Sequence, residues 1–198
     1  MQRLFNILSF SSICALALGA CGDSNNPHPP NLGTQIDRMG RAAVNTALIQ
    51  TFASDTATKE TAKEAYNRAE PSAWGGFKGN MMASLAILDS LDEDCGNQLI
   101  ADGDTSLRYA ALADVLVDDQ LYVNTASGTC GVYLGLEAEI VGAIAAGAGG
   151  CGGRMPDDDI IDRSYSVFAA GILTGVDDTI TGNDVSNSAT FPFLAAAH

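Results

Sequence analysis

Histidine is the scarcest chemically useful residue in this 198-residue chain, occurring only as His28 and His198. A Ser-His-Asp or Cys-His centre needs an imidazole held beside its nucleophile. Neither histidine stands near a cysteine retained in a folded domain or near an acidic cluster, so no catalytic residue is assigned. Carboxylates are plentiful, with 24 Asp and Glu against 10 Lys and Arg. Chemistry that uses only carboxylates, such as glycoside hydrolysis, is therefore compatible with the composition, although no recognisable pair carries it. A hard cation is the sharper reading. Asp177-Asp178 and Asn183-Asp184, set around Gly182, place oxygen donors on one glycine-bearing loop, and calcium selects such donors. Asp102-Gly103-Asp104 is a second fragment of this kind. Neither is an EF-hand loop: the twelfth position counted from Asp102 is Ala113, where a bidentate Glu belongs. Asx-rich turns also satisfy their own backbone. Gly147-x-Gly149-x-x-Gly152 matches a dinucleotide fingerprint by letters, but that fingerprint follows a strand and opens a helix. A helical pattern precedes it here, so the run reads as a close-packed hinge, and no nucleotide is expected.

The chain begins with the basic segment Met1-Gln2-Arg3 and an apolar stretch from Leu4 to Leu18 broken by serines. That stretch is too short and too interrupted for a spanning helix and has the form of an export signal. Leu18-Gly19-Ala20-Cys21 resembles the lipobox of bacterial lipoproteins. The resemblance implies removal of residues 1–20 and lipidation of Cys21 with palmitate-like chains. It also implies outer-membrane sorting, since Gly22 and not Asp follows. Several acyl chains give stable anchoring where one does not, so the membrane is the expected partner. Residues 21–33 then form the lipidated cysteine and a polar, proline-bearing tether. Losing Arg3 takes the formal net charge from −14 to −15. Such a surface repels phosphate backbones, which excludes nucleic acid and favours cations or basic partners.

With Cys14 in the signal and Cys21 acylated, Cys95, Cys130 and Cys151 remain in an oxidising compartment. They allow one bridge and one free thiol. A Cys130–Cys151 bridge has to span a helix of about 13 residues, about 18 Å long. The glycine run must then double back at about 3.3 Å per residue. That path is tight, and Cys95 paired with Cys130 or Cys151 is the expectation. Without a C-x-x-C or a nearby histidine, zinc is not expected.

The elements that must hold these groups are helical. Ile36, Met39, Ala43 and Ala47 share a face, with a helix from about Arg41 once Gly40 is passed. Thr56 to Ala69 is rich in helix formers and is stopped by Pro71, and Trp74-Gly75-Gly76-Phe77 is a turn whose aromatics close over the core. Met81, Leu85 and Leu88 form a stripe, and Thr105 to Val117 is a further helix capped by Asp104 or Thr105. Gln120 to Thr125 is the best strand. Val132, Leu136, Ile140 and Ile144 step by four as a buried stripe, leaving Glu137 and Glu139 outward. Pro156 suits a first helical turn, with Asp157, Asp158 and Asp159 complementing the dipole and Ile161, Tyr165, Phe168 and Ile172 facing inward. Phe191 and Phe193 are expected to pin the C-terminal segment to the core. The predicted fold is mostly α: a single-domain irregular helical bundle of five to six helices over residues 34–198, with little or no β.

Several motifs, in order, resemble a bacterial family described as domain of unknown function 4331. They are Met39-Gly40-Arg41-Ala42-Ala43-Val44-Asn45, Lys63-Glu64-Ala65-Tyr66-Asn67, and Gly153-Arg154 through Asp158-Asp159-Ile160-Ile161-Asp162. Gly175-Val176-Asp177, Asn183-Asp184 and Phe191-Pro192-Phe193-Leu194-Ala195 complete the set. The resemblance implies an exported protein and names no reaction. The expectation is thus a non-enzymatic binding or structural module of the bacterial cell envelope, its protein or glycan partner unspecified. The alternatives are a carboxylate-dependent hydrolase and a calcium-binding surface module, calcium being the one cofactor these readings call for.

Overall fold

The computed structural model describes residues 37–91, 94–131, 133–169 and 176–197. The predicted export signal, the predicted lipidation site Cys21, the predicted tether with His28, and the side chains of Ile36, Val132, Ile172 and His198 lie outside the described residues. Six α-helices and one 3-10 helix are present among those described. Two isolated antiparallel bridges, Val123 with Gly152 and Cys130 with Gly150, stand where a sheet would be. The protein is mostly α.

Local chemistry explains the best-formed elements. Helix α1 (Val44–Leu48) is short, and its last carbonyls are satisfied from outside. Lys63 Nζ donates to the Asn45 and Thr46 carbonyls at 2.6 and 2.9 Å, and Ser84 Oγ donates to that of Leu48 at 2.8 Å. Helix α2 (Thr56–Arg68) starts at Asp55, whose carboxylate accepts from the Thr58 amide at 2.8 Å. Extended backbone at Ala69 and Glu70 ahead of Pro71 ends it. The 3-10 helix Pro71–Phe77 carries Trp74, which donates to the Ala69 carbonyl, and Phe77, which meets Tyr66 edge to face. Both aromatics pack on the core, as predicted. Helix α3 (Lys78–Asp89) lies against α1 and α4 (Ala110–Val117). Val44, Leu48, Tyr66, Met81, Leu85, Leu112, Leu116 and Phe168 form the centre of the core.

The remaining elements depart from their predicted form. Residues 104–109 make turns, in which Asp104 accepts from the Ser106 amide, so α4 begins at Ala110 and not near Thr105. Residues 120–125 contribute one bridge and no strand. Helix α5 (Gly135–Ile140) has only six residues. Within it Glu137, predicted to face solvent, is 5% exposed, while Ile140, predicted inside, is 68% exposed. A helix this short has no long stripe to bury, and a buried arginine draws the carboxylate inward. Helix α6 (Ile160–Phe168) begins four residues after Pro156, with Asp159 as its N-cap accepting from the Asp162 amide. Phe191 and Phe193 are exposed and pack on each other, ring centroids 6.2 Å apart, so they do not pin the segment to the core. No described helix is long and apolar enough to cross a membrane.

Candidate functional site

Three segments distant in sequence, Asp37–Ala43, Val117–Val123 and α5, meet around buried charge. Gly40 permits the approach: a Cβ there would lie 1.7 Å from the Asp119 carbonyl oxygen. With the backbones that close, the Arg41 amide donates to Asp119 Oδ1 at 2.8 Å. The Tyr133 hydroxyl donates to the Gly40 carbonyl at 2.9 Å and accepts from the Ala42 amide at 3.1 Å. Arg41 then turns inward, its Nη1 3.0 Å from Glu137 Oε1. Arg38 donates to the Val117 carbonyl at 2.7 Å, and its guanidinium stands 3.9 Å from the Tyr66 ring centroid and 4.6 Å from that of Trp74. An aromatic pair of this kind holds cations, and here the cation is the chain's own arginine.

Burial sets the electrostatics of this cluster. Desolvation holds the Arg38 pKa below its ordinary value and pushes those of Tyr66 and Tyr133 up. Arg38 Nε and Nη1, Arg41 Nε, Glu137 Oε2 and the Tyr66 hydroxyl have no hydrogen-bond partner. Buried charge so incompletely satisfied is costly to assemble and more costly to break by removing one partner. Sequence reasoning missed these residues. The available signal was the pairing of Arg38-x-x-Arg41 with Asp118-Asp119 and Glu137, visible only once long-range contacts are known.

The glycine run folds back onto α5. Gly147 and Gly149 donate their amides to Glu139 at 2.6 and 2.9 Å, and these bonds hold the Glu139 pKa below the usual carboxylate range. Amides that could cradle a phosphate are thereby occupied by a carboxylate of the same chain. A Cβ on Gly149 would sit 2.7 Å from the Gly135 carbonyl oxygen, which makes the close packing depend on glycine. The fold-back also corrects the disulfide expectation. Cys130 is bonded to Cys151, with Cα atoms 4.4 Å apart, and Cys95 is the free, exposed thiol. The predicted obstacle was a long helix between them. Since α5 stops at Ile140 and the chain turns at Gly142 and Gly147, both at positive φ, the separation closes.

A cavity of about 440 Å³ opens at the start of α6, lined by Tyr133, Asp158, Asp159, Asp162, Arg163, Ser166 and Val176. Its carboxylates are already engaged. Asp158 accepts from the Met155 amide at 2.7 Å, Asp159 from the Asp162 amide at 3.1 Å, and Asp162 from the Asp178 amide at 2.7 Å. The Asp178 amide favours the charged form of Asp162. Desolvation and the charges of Asp159, Asp178 and Asp177 outweigh it and hold the Asp162 pKa above its ordinary value. The predicted calcium ligands lie nearby in separate roles. Asp177 and Asp178 accept from the amides two residues on, at 2.9 Å each. Asn183 donates its side-chain amide to Asp157 at 2.9 Å, and Asp184 is exposed. Asp102 and Asp104 close the same kind of turn. Among the described residues no group of three or more His, Cys, Asp or Glu side chains could hold a metal ion.

Comparison with protein-family models, curated proteins and solved structures finds no match to this chain.

Proposed function

We propose that the protein is an exported, lipid-anchored module of the bacterial cell envelope that binds or scaffolds and runs no reaction. One observation carries the non-enzymatic part: each carboxylate lining the cavity at α6 accepts a backbone amide. Each of these carboxylates thereby serves the backbone of its own chain, whereas a general acid or base must also face the proton it moves. The lipobox-like Leu18-Gly19-Ala20-Cys21 and the order of motifs resembling domain of unknown function 4331 support export and anchoring. Intact mass of the membrane-extracted protein tests the anchor: Cys21 without lipid mass overturns it.

Asp162 favours a second reading, a carboxylate-dependent hydrolase, because a raised carboxyl pKa inside a cleft is what a general acid needs. The two readings separate in a screen of the protein against glycans and divalent ions, scoring melting temperature and product release together. Binding without turnover supports the module. Turnover abolished by Asp162→Asn supports the hydrolase. A melting curve raised by millimolar calcium over chelator, with the rise lost when Asp177, Asp178, Asn183 and Asp184 are replaced, supports calcium as a ligand there, and an unchanged curve removes it.

A further inference from the structure

We infer that residues Val176–Ala197, laid over the start of α6, form a docking face for a basic amphipathic segment of a partner protein. This inference rests on the binding-module reading and names its partner class. The segment is fastened to the start of α6 by polar bonds. Asp157 accepts from the side-chain amides of Asn183 and Asn187 at 2.9 and 2.6 Å, Asn187 Oδ1 accepts from the Ala195 amide at 3.0 Å, and the Asp178 amide donates to Asp162. Its apolar side chains are therefore left outward. Phe191 is 86% exposed, Leu194 62% and Ile180 63%, and the Phe191 and Phe193 rings meet edge to face. Aromatic and aliphatic groups held outward on an ordered frame anchor partners.

Charge selects the partner. The same segment carries Asp177, Asp178 and Asp184, and the turn beneath it carries Asp157 and Asp158. The neighbouring cation, Arg163, is occupied by the Tyr133 carbonyl. An anionic lipid surface is repelled by such a face. A helix with lysines flanking an apolar stripe matches it, with the stripe on the phenylalanines and the lysines on the aspartates.

The test uses the purified full chain and fluorescent peptides of about 18 residues: a lysine–leucine amphipathic helix, the same peptide with glutamate for lysine, and the same peptide with serine for leucine. The expected result is binding of the first peptide, with both controls and a Phe191→Ser/Phe193→Ser variant weaker by at least about tenfold. The variant keeps the wild-type melting temperature, since these rings contribute nothing to the core. Equal binding by the serine peptide, binding unchanged in the variant, or vesicle uptake that falls in the Phe191→Ser/Phe193→Ser variant overturns the inference, since uptake through an acyl anchor is the same in both chains. So does an absence of peptide binding. None of these outcomes decides between module and hydrolase, which product release in the glycan screen decides, and the anchor stands or falls on lipid mass at Cys21.

Discussion

Truncating Glu137 to Ala strands Arg41. The arginine side chain is 1% exposed, and Glu137 Oε1 is the acceptor of its Nη1 at 3.0 Å. Arg41 Nε already lacks a partner, so the loss leaves a second nitrogen of the guanidinium unsatisfied. The Tyr122 amide, 3.4 Å from the same oxygen, loses its acceptor as well. Removing one member of a buried ion pair costs about 3–5 kcal/mol, a large fraction of the about 5–15 kcal/mol that holds a domain folded. For a chain of this size the melting temperature should fall by about 10 °C. Arg41→Ala alone should lose a similar amount, because Glu137 is then the uncompensated charge. Replacing both together, as Arg41→Met/Glu137→Leu, removes the charges with the pair and should lie within about 1 kcal/mol of wild type. Urea unfolding of the two alanine variants and their double mutant measures the coupling, expected at about 2 kcal/mol or more. Alanine effects that add to within about 0.5 kcal/mol would mean that the two side chains act independently, and the account of the buried cluster would be wrong.

Gly40→Ala should destabilise by about 3 kcal/mol, since its Cβ meets the Asp119 carbonyl and not a movable side chain. Thermal unfolding unchanged by the substitution refutes the close approach. The Cys130–Cys151 bridge closes a loop of sequence separation 21, and chain entropy gives it about 3 kcal/mol. Urea unfolding of Cys130→Ser/Cys151→Ser should show this loss, and peptide mapping without reduction should recover the 130–151 linkage with Cys95 alkylated. Asp162→Asn should raise the melting temperature near neutral pH. Because its folded pKa lies above the ordinary value, stability is present below the unfolded pKa and is lost as pH rises through the folded one, so the gain should vanish in acid. Glu139→Gln should do the opposite. Its folded pKa is lowered by the Gly147 and Gly149 amides, so it stabilises above the unfolded pKa and that contribution disappears as pH falls through the folded value. Melting curves across pH that move together for both variants contradict these assignments.

Where the determinants were local, the sequence reading matched the structure. Helix α2 has its cap at Asp55, its helix formers and its stop at Pro71 within one continuous stretch, so nothing distant was needed to place it. The aspartate pairs at 102–104 and 177–178 likewise close turns on their own backbone. Helix α5 failed for the converse reason. Its burial pattern is dictated by Arg41, 96 residues away from Glu137, and no window centred on Leu136 contains that charge. The disulfide failed with it, because the length assigned to α5 decided whether Cys130 could reach Cys151. The apolar Phe191-Pro192-Phe193 was read as core from composition alone. Its rings instead are exposed, on a segment tied by Asp157 and Asn187.

The acidity of the surface follows from where the cations are spent. Arg38 and Arg41 are buried beneath Tyr66 and beside Glu137. Lys63 caps α1, while Arg154 and Arg163 hold the Met39 and Tyr133 carbonyls. Arg108 sits within ion-pair range of the buried Asp89, and Lys78 bonds Asp114. Most of the described basic groups thus fasten one segment to another, and many carboxylates are left on the surface without a cation beside them. The surface is therefore more acidic than the net charge of −14 alone would make it. That construction has a directional result. Around α6 and residues 176–197 the field comes from aspartates whose oxygens also shape the backbone beneath exposed phenylalanines. Neutralising those aspartates should therefore weaken a basic partner in two separable ways. Asp184→Asn should remove a charge while keeping an acceptor oxygen in the same shape, reducing the salt dependence of binding and its association rate. Asp157→Ala removes the acceptor that fixes Asn183 and Asn187, so it should also loosen the face and speed dissociation. If both variants alter binding only through association rate, Asp157 plays no part in presenting the phenylalanines.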